Sequence, residues 1–160
     1  MRIYSWDDMT GGTMRYFVNV FQYKSGTKTI AMLDAPGTGD DYRPAYEILY
    51  TFKTQGKTYY LVTTLEIGSS KDLEKGIQVF SIENGKLNTD ARIIRTKSGL
   101  HSQITYDYDL SRTSEKIHSE IRFDTNTQSI YIPVVVENGR LTNRYIVYKF
   151  TGQYFERVKN

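Results

Sequence analysis

Hydrophobic and polar residues alternate with a period of two along most of this chain, and that period marks β-strands. From Met14 to Tyr23, Met14, Tyr16, Val18 and Val20 fall on one face. Arg15, Phe17, Asn19, Phe21 and Tyr23 fall on the other. Strands are also expected at Arg2 to Trp6, Thr29 to Leu33, Tyr46 to Lys53, Lys57 to Leu65 and Gly76 to Glu83. More follow at Lys86 to Arg95, Ser102 to Tyr108, Lys116 to Phe123, Gln128 to Val136, Asn143 to Phe150 and Gln153 to Val158. Gln55-Gly56, Asn84-Gly85 and Asn138-Gly139 punctuate them as turns, and Asn-Gly is the dipeptide that suits a type I′ hairpin. Residues 35–41 form the clearest loop. The spacing predicts one or two helical turns over Ser69 to Lys75, with Ser70 as cap and Gly76 as stop.

Several of these strands are apolar on both faces. Ile77 and Val79 oppose Phe80 and Ile82; Tyr145 and Val147 oppose Ile146, Tyr148 and Phe150. Such strands need a layer above and a layer below. Links of a few residues cannot make parallel crossovers. The expected fold class is therefore all-β, an antiparallel meander of about ten to eleven strands in a single domain, 1–160. It takes the form of a sandwich, an open barrel or propeller-like packed sheets.

An internal echo sharpens this picture. The stretch from Phe52 to Leu61 reappears from Phe123 to Ile132, with Phe, Thr and Tyr kept at matching places. Ile77 to Ile82 answers to Tyr145 to Phe150, with Val79 matched to Val147. A two-fold repeat with units 45–97 and 102–158 would follow. Its four-strand rhythm has the outline of propeller blades.

Composition bounds the rest. The chain of 160 residues is 39% hydrophobic with 14 Tyr, 7 Phe and 1 Trp, enough to build a core and biased towards strands. Net charge is +3, from 21 basic and 18 acidic residues interspersed, too small an excess to demand a polyanion. There is no Cys, so disulfides, thiolate metal sites and Cys nucleophiles are excluded. No stretch reaches the ~20 apolar residues of a membrane span. A strand that begins at Arg2 fits a trimmed or processed chain, so an exported location, periplasmic or extracellular with its signal peptide removed, is the expectation.

Candidate chemistry is sparse. Trp6 stands beside Asp7 and Asp8 and before Gly11-Gly12, a combination suited to stacking on a sugar while carboxylates take hydroxyls. The structural alternative is a plain turn with Trp6 in the core. Asp34, Asp40, Asp41, Tyr42 and Arg43 gather acids that could hold Ca²⁺, yet their spacing departs from the calcium-loop pattern, and a polar ligand site or a solvated loop is the simpler reading. Asp107 and Asp109 share a strand face. His118 with Glu120, joined by His101, could form an acid/base couple or an exposed cross-strand pair. Arg92, Arg95 and Lys97 near Tyr106 and Tyr108 resemble a single-strand binding surface, but the weak overall charge argues against nucleic acid. Neither a G-x-S-x-G elbow nor a phosphate-binding loop is present.

These observations assign no cofactor, no metal and no catalytic residue. They point to a non-catalytic binding or interaction domain, exported or on a cell surface. Carbohydrate or a protein would be its ligand, contacted by Trp6, Asp7, Asp8, Asp40, Asp41, Tyr42 and Arg43. Two alternatives stand beside it: a hydrolase built on a carboxylate or His/Glu pair such as Asp7 with Asp109, and a structural piece of a propeller assembly.

Overall fold

The computed structural model describes residues 1–34, 43–54, 56–113 and 120–159. In chain order the strands are β1 (Arg2–Asp7), β2 (Phe17–Ser25), β3 (Lys28–Asp34), β4 (Ala45–Lys53), β5 (Thr58–Ile67), β6 (Asp72–Glu83) and β7 (Lys86–Asn88). They continue with β8 (Ile94–Thr96), β9 (Gly99–His101), β10 (Gln103–Asp109), β11 (Arg122–Asp124), β12 (Ser129–Val135), β13 (Leu141–Phe150) and β14 (Phe155–Arg157). One turn of 3-10 helix, Leu110–Arg112, follows β10.

The strands make three sheets. An N-terminal sheet has the order β1-β2-β3. A central sheet runs β10-β6-β5-β4, with β7 paired to β6. A C-terminal sheet runs β11-β12-β13-β14-β8-β9. The all-β expectation holds, and among the described residues every strand pair but one is antiparallel. The exception is β14 with β8, where Phe155 lies opposite Ile94. Short links forbid parallel neighbours only between consecutive strands, and β8 and β14 are far apart in sequence.

The propeller-like and barrel arrangements are overturned: no sheet curls strongly or closes on itself. The double-sided burial that prompted them has a different origin. Neighbouring residues of β5 and β6 belong to two separate cores. Leu61 and Val79 join Phe52, Phe123, Ile130 and Phe155 in the main core, towards the C-terminal sheet. Val62 and Phe80 join Phe21 in a smaller core, towards the N-terminal sheet. The central sheet is thus sandwiched between the other two, which supply the layer above and the layer below.

The echo has an exact half and a slipped half. Phe52 pairs with Tyr59, and Phe123 pairs with Ile130, so the first hairpins match in register. The two phenylalanine rings also meet edge to face, 5.4 Å apart. In the second pair Val79 faces the main core, as do Ile146 and Tyr148, whereas Val147 takes the opposite face of β13. Matching Val79 to Val147 is one residue out, and in a strand one residue reverses the face.

Local chemistry explains the remaining departures. The helical turn expected at Ser69 to Lys75 is instead a tight turn: Ser69 Oγ accepts the Lys71 and Asp72 N–H groups and donates to Asp72 Oδ2 at 2.7 Å. The strand resumes at Asp72, and Gly76 lies inside it. Gly76 is squeezed between Thr64 and Thr105, where an added Cβ would meet Thr64 Oγ1 at 2.7 Å and Thr105 Cγ2 at 2.8 Å. The strand expected from Lys86 to Arg95 is broken into β7 and β8, so that Ala91 and Ile93 can turn into the main core. Asn84 and Gly85 both have positive φ, 51° and 76°, as a type I′ turn requires. Of the strand expected from Lys116 to Phe123, Arg122–Asp124 forms β11 and 116–119 lie outside the described residues.

Candidate functional site

The N-terminal sheet carries the surface that stands out. Alternation along β1 turns Ile3 and Ser5 inward and leaves Arg2, Tyr4 and Trp6 outward. The register sets Tyr4 opposite Val20, and Val20 opposite Leu33; Trp6 lies opposite Val18. One outer face therefore displays Tyr4, Trp6, Val18, Val20 and Leu33 together. Tyr4 is 49% exposed, Trp6 46% and Leu33 64%. The reading that placed Trp6 in the core does not hold, because the small core is filled from the other face of the sheet by Ile3, Phe21 and Met32.

The carboxylates beside Trp6 do other work. Asp7 follows Trp6 directly and points to the opposite face. Its Oδ1 accepts the Met9 N–H at 2.8 Å, and its Oδ2 pairs with Arg15 at 3.0 Å. Asp8 Oδ1 accepts from both the N–H and the hydroxyl of Thr10. Both acids hold the turn that leads into β2, with Met9 in the left-handed region at φ 66°. Arg43 Nε donates to Asp34 Oδ1 at 2.8 Å. Asp40, Asp41 and Tyr42, the rest of that candidate cluster, lie outside the described residues, as does His118.

A polar network adds to the small core in fastening this sheet to the centre. Asn19 is fully buried on β2. Its Oδ1 accepts from Ser5 Oγ at 2.6 Å, and its Nδ2 donates to the Pro44 carbonyl at 3.1 Å. Ser5 Oγ in turn accepts the Tyr46 N–H at 3.2 Å. These bonds link β1 and β2 to the start of β4, and they leave the outer face unencumbered.

A second cluster was hidden from the sequence. Glu66, Glu74 and Asp107 come from β5, β6 and β10 and lie directly opposite one another in register. They line a groove of about 400 Å³ together with Asp72, Asp109 and Gly139 among others. Burial and then the neighbouring Glu66 and Asp107 charges push the Glu74 carboxyl up to about 6; burial and Asp107 also raise Glu66. Asp109, on the same strand face as Asp107, goes the other way. Hydrogen bonds from Ser111 and the nearby Arg112 lower it. Among the described residues no group of three His, Asp or Glu has the geometry to hold a metal ion. Cross-strand neighbours of this kind are legible only when the pairing is known, since the three acids are scattered along the chain.

The other sequence candidates are not brought together. Asp7 sits on the N-terminal sheet with Arg15, and Asp109 caps the 3-10 turn with Ser111. Glu120 is exposed and pairs with Lys75 at 3.7 Å. His101 bonds Ser98 at 2.9 Å. Tyr106 packs against the main core from the central sheet, whereas Arg95 belongs to the C-terminal sheet and stacks on Tyr154 at 4.3 Å. Arg92 pairs with Asp90. The basic and aromatic residues near position 100 therefore do not share a face.

No protein-family model matches this chain, and no curated protein and no solved structure matches it either.

Proposed function

We propose that this chain is a non-catalytic binding domain of an exported or cell-surface protein, and that it engages a partner protein through the outer face of the N-terminal sheet. One observation carries the reading: Tyr4, Trp6 and Leu33 stand exposed on one sheet face, with Val18 and Val20 between them. Contiguous exposed aromatic and aliphatic side chains mark contact surfaces, and Trp and Tyr dominate binding energy when buried there. A protein fits better than a carbohydrate. Sugar recognition needs carboxylates beside the stacking ring, and Asp7, Asp8 and Asp34 are all spent on turns and ion pairs.

Trp6 is the only tryptophan, so its emission reports on this face directly. The test uses wild type and Tyr4→Ala/Trp6→Ala as paired baits, together with titration of Trp6 emission by a panel of oligosaccharides. The expected result is a protein retained by wild type and lost by the double variant, with emission unmoved by sugars. Identical captures by both baits, or a saturable shift with an oligosaccharide, would overturn the protein reading.

The acid row favours a second reading, a hydrolase in which Glu74 gives a proton with the Glu66 and Asp107 carboxyls beside it. Glu74→Gln would then abolish turnover of a glycoside or ester substrate without loss of fold. Absence of turnover in the wild type across such a panel removes this reading.

A further inference from the structure

We propose that the groove at the C-terminal end of β14 binds an extended acidic peptide segment of a partner protein. The groove measures about 1010 Å³ and lies on the C-terminal sheet. Arg95, Lys97, Arg144, Arg157 and Lys159 line it, and no Asp or Glu does. Arg95 is shared with Glu156 at 3.3 Å; the other four have no carboxylate within ion-pair distance among the described residues. In a chain of net charge +3, four unneutralised cations around one depression are a concentrated positive field.

The backbone makes the occupant an extended chain. β13 is ten residues long, but β14 pairs with it only at Tyr148, Lys149 and Phe150. One further bond runs from the Val158 N–H to the Val147 carbonyl, at 2.8 Å. The next residue whose main chain points to that edge is Tyr145. The Phe150 N–H bonds the Gln128 carbonyl on the β12 side, so alternation along β13 turns the Tyr145 N–H and C=O the other way, towards the groove. An added strand there would bond Tyr145 and lay alternate side chains towards the cations. Val134, Ile146 and Val147 add apolar surface to its lining.

The same region is poorly suited to nucleobases. Its ring faces are already covered by arginines: Arg122 lies over Tyr131 and Tyr145 at 4.4 and 4.8 Å, and Arg95 over Tyr154. Stacking on single strands needs free faces. The groove and the Trp6 face lie on different sheets, so the two readings fail separately.

The test is fluorescence anisotropy with a labelled Glu-Val repeat peptide, a Lys-Val repeat and oligothymidylate, on the whole chain. The acidic peptide is expected to bind, the basic one not, and added salt should weaken the complex. Arg144→Glu/Arg157→Glu should cost at least about tenfold in affinity, whereas Lys86→Glu, on the central sheet, should leave it unchanged. Hydrogen exchange at the Tyr145 amide should slow on binding. Should that pair disturb folding, Lys97→Glu/Lys159→Glu, both at exposed positions, makes the same test. No binding of the acidic peptide, equal binding after charge reversal, an unprotected Tyr145 amide, or oligothymidylate binding as tightly would each overturn the proposal.

Discussion

The central sheet is covered on both faces, and the two covers are unlike. Towards the C-terminal sheet thirteen buried residues interlock, with Phe52 against Phe123, Phe150 and Phe155 at 4.8 to 5.5 Å. Towards the N-terminal sheet the buried cluster is Phe21, Val62 and Phe80 among the described residues, and a buried Asn19 network supplements them. Apolar burial contributes in proportion to area, so the first interface is the one that sustains the fold. The second is a lighter attachment. The more lightly attached sheet is also the one that turns Tyr4 and Trp6 to solvent.

That contrast can be broken most directly at Phe155. Its ring is fully buried and touches three other phenylalanines. Phe155→Ala is expected to cost ~3–5 kcal/mol in urea denaturation, whereas Phe21→Ala should fall at the low end of that range. Hydrogen exchange separates the two further: Phe21→Ala should speed exchange in β1–β3 and spare β12. Equal loss of protection in both regions would show a single cooperative core and end the comparison.

Asn19→Ala comes next. It leaves Ser5 and the Pro44 carbonyl without their partner, and should cost roughly 1–3 kcal/mol. A cost below about 0.5 kcal/mol would mean that the polar network adds nothing to the attachment.

Glu74→Gln should have a smaller effect of opposite sign. The folded-state value near 6 lies above the ordinary 4.5. The stability linked to this group is therefore fully present below about pH 4.5 and is lost as pH rises through 6. At pH 7.5 the variant should melt about 2 °C higher than wild type, after allowance for solvent screening, and the gap should close at pH 4. A gap that stays constant with pH would remove the acid row as its cause.

Trp6→Ala should change stability least, by about 0.5 kcal/mol or less, because nearly half of the side chain is already in water. Under the proposed function its effect would fall on partner binding. A large loss of stability would assign Trp6 to folding instead.

The positions of the strands were written in local pattern, and most lie where alternation puts them. Asn19 sits on the face that also carries Phe17, Phe21 and Tyr23, as its place in the alternation requires. Yet nothing local distinguishes a buried Asn with two bonds from a polar residue at a sheet edge. For Trp6 the sequence offered two neighbours, Asp7 and Asp8, as co-ligands. Alternation already turns Asp7 away from the ring, and the turn bonds of Asp8 depend on geometry beyond the strand. The acid row and the basic groove were invisible because each gathers residues from separate strands: Glu66, Glu74 and Asp107 in one, Arg95, Arg144 and Arg157 in the other.

Sequence alone determined the all-β character, the type I′ turn at Asn84-Gly85 and the two-faced burial of β6. These follow from side-chain alternation and from backbone conformations that few residues adopt, which are properties of short segments. Tertiary structure decided which layers cover those strands, why one residue of slip separates Val79 from Val147, and which face of β1 meets water. Those outcomes depend on register between distant strands, and register is set by how whole faces pack rather than by any one segment.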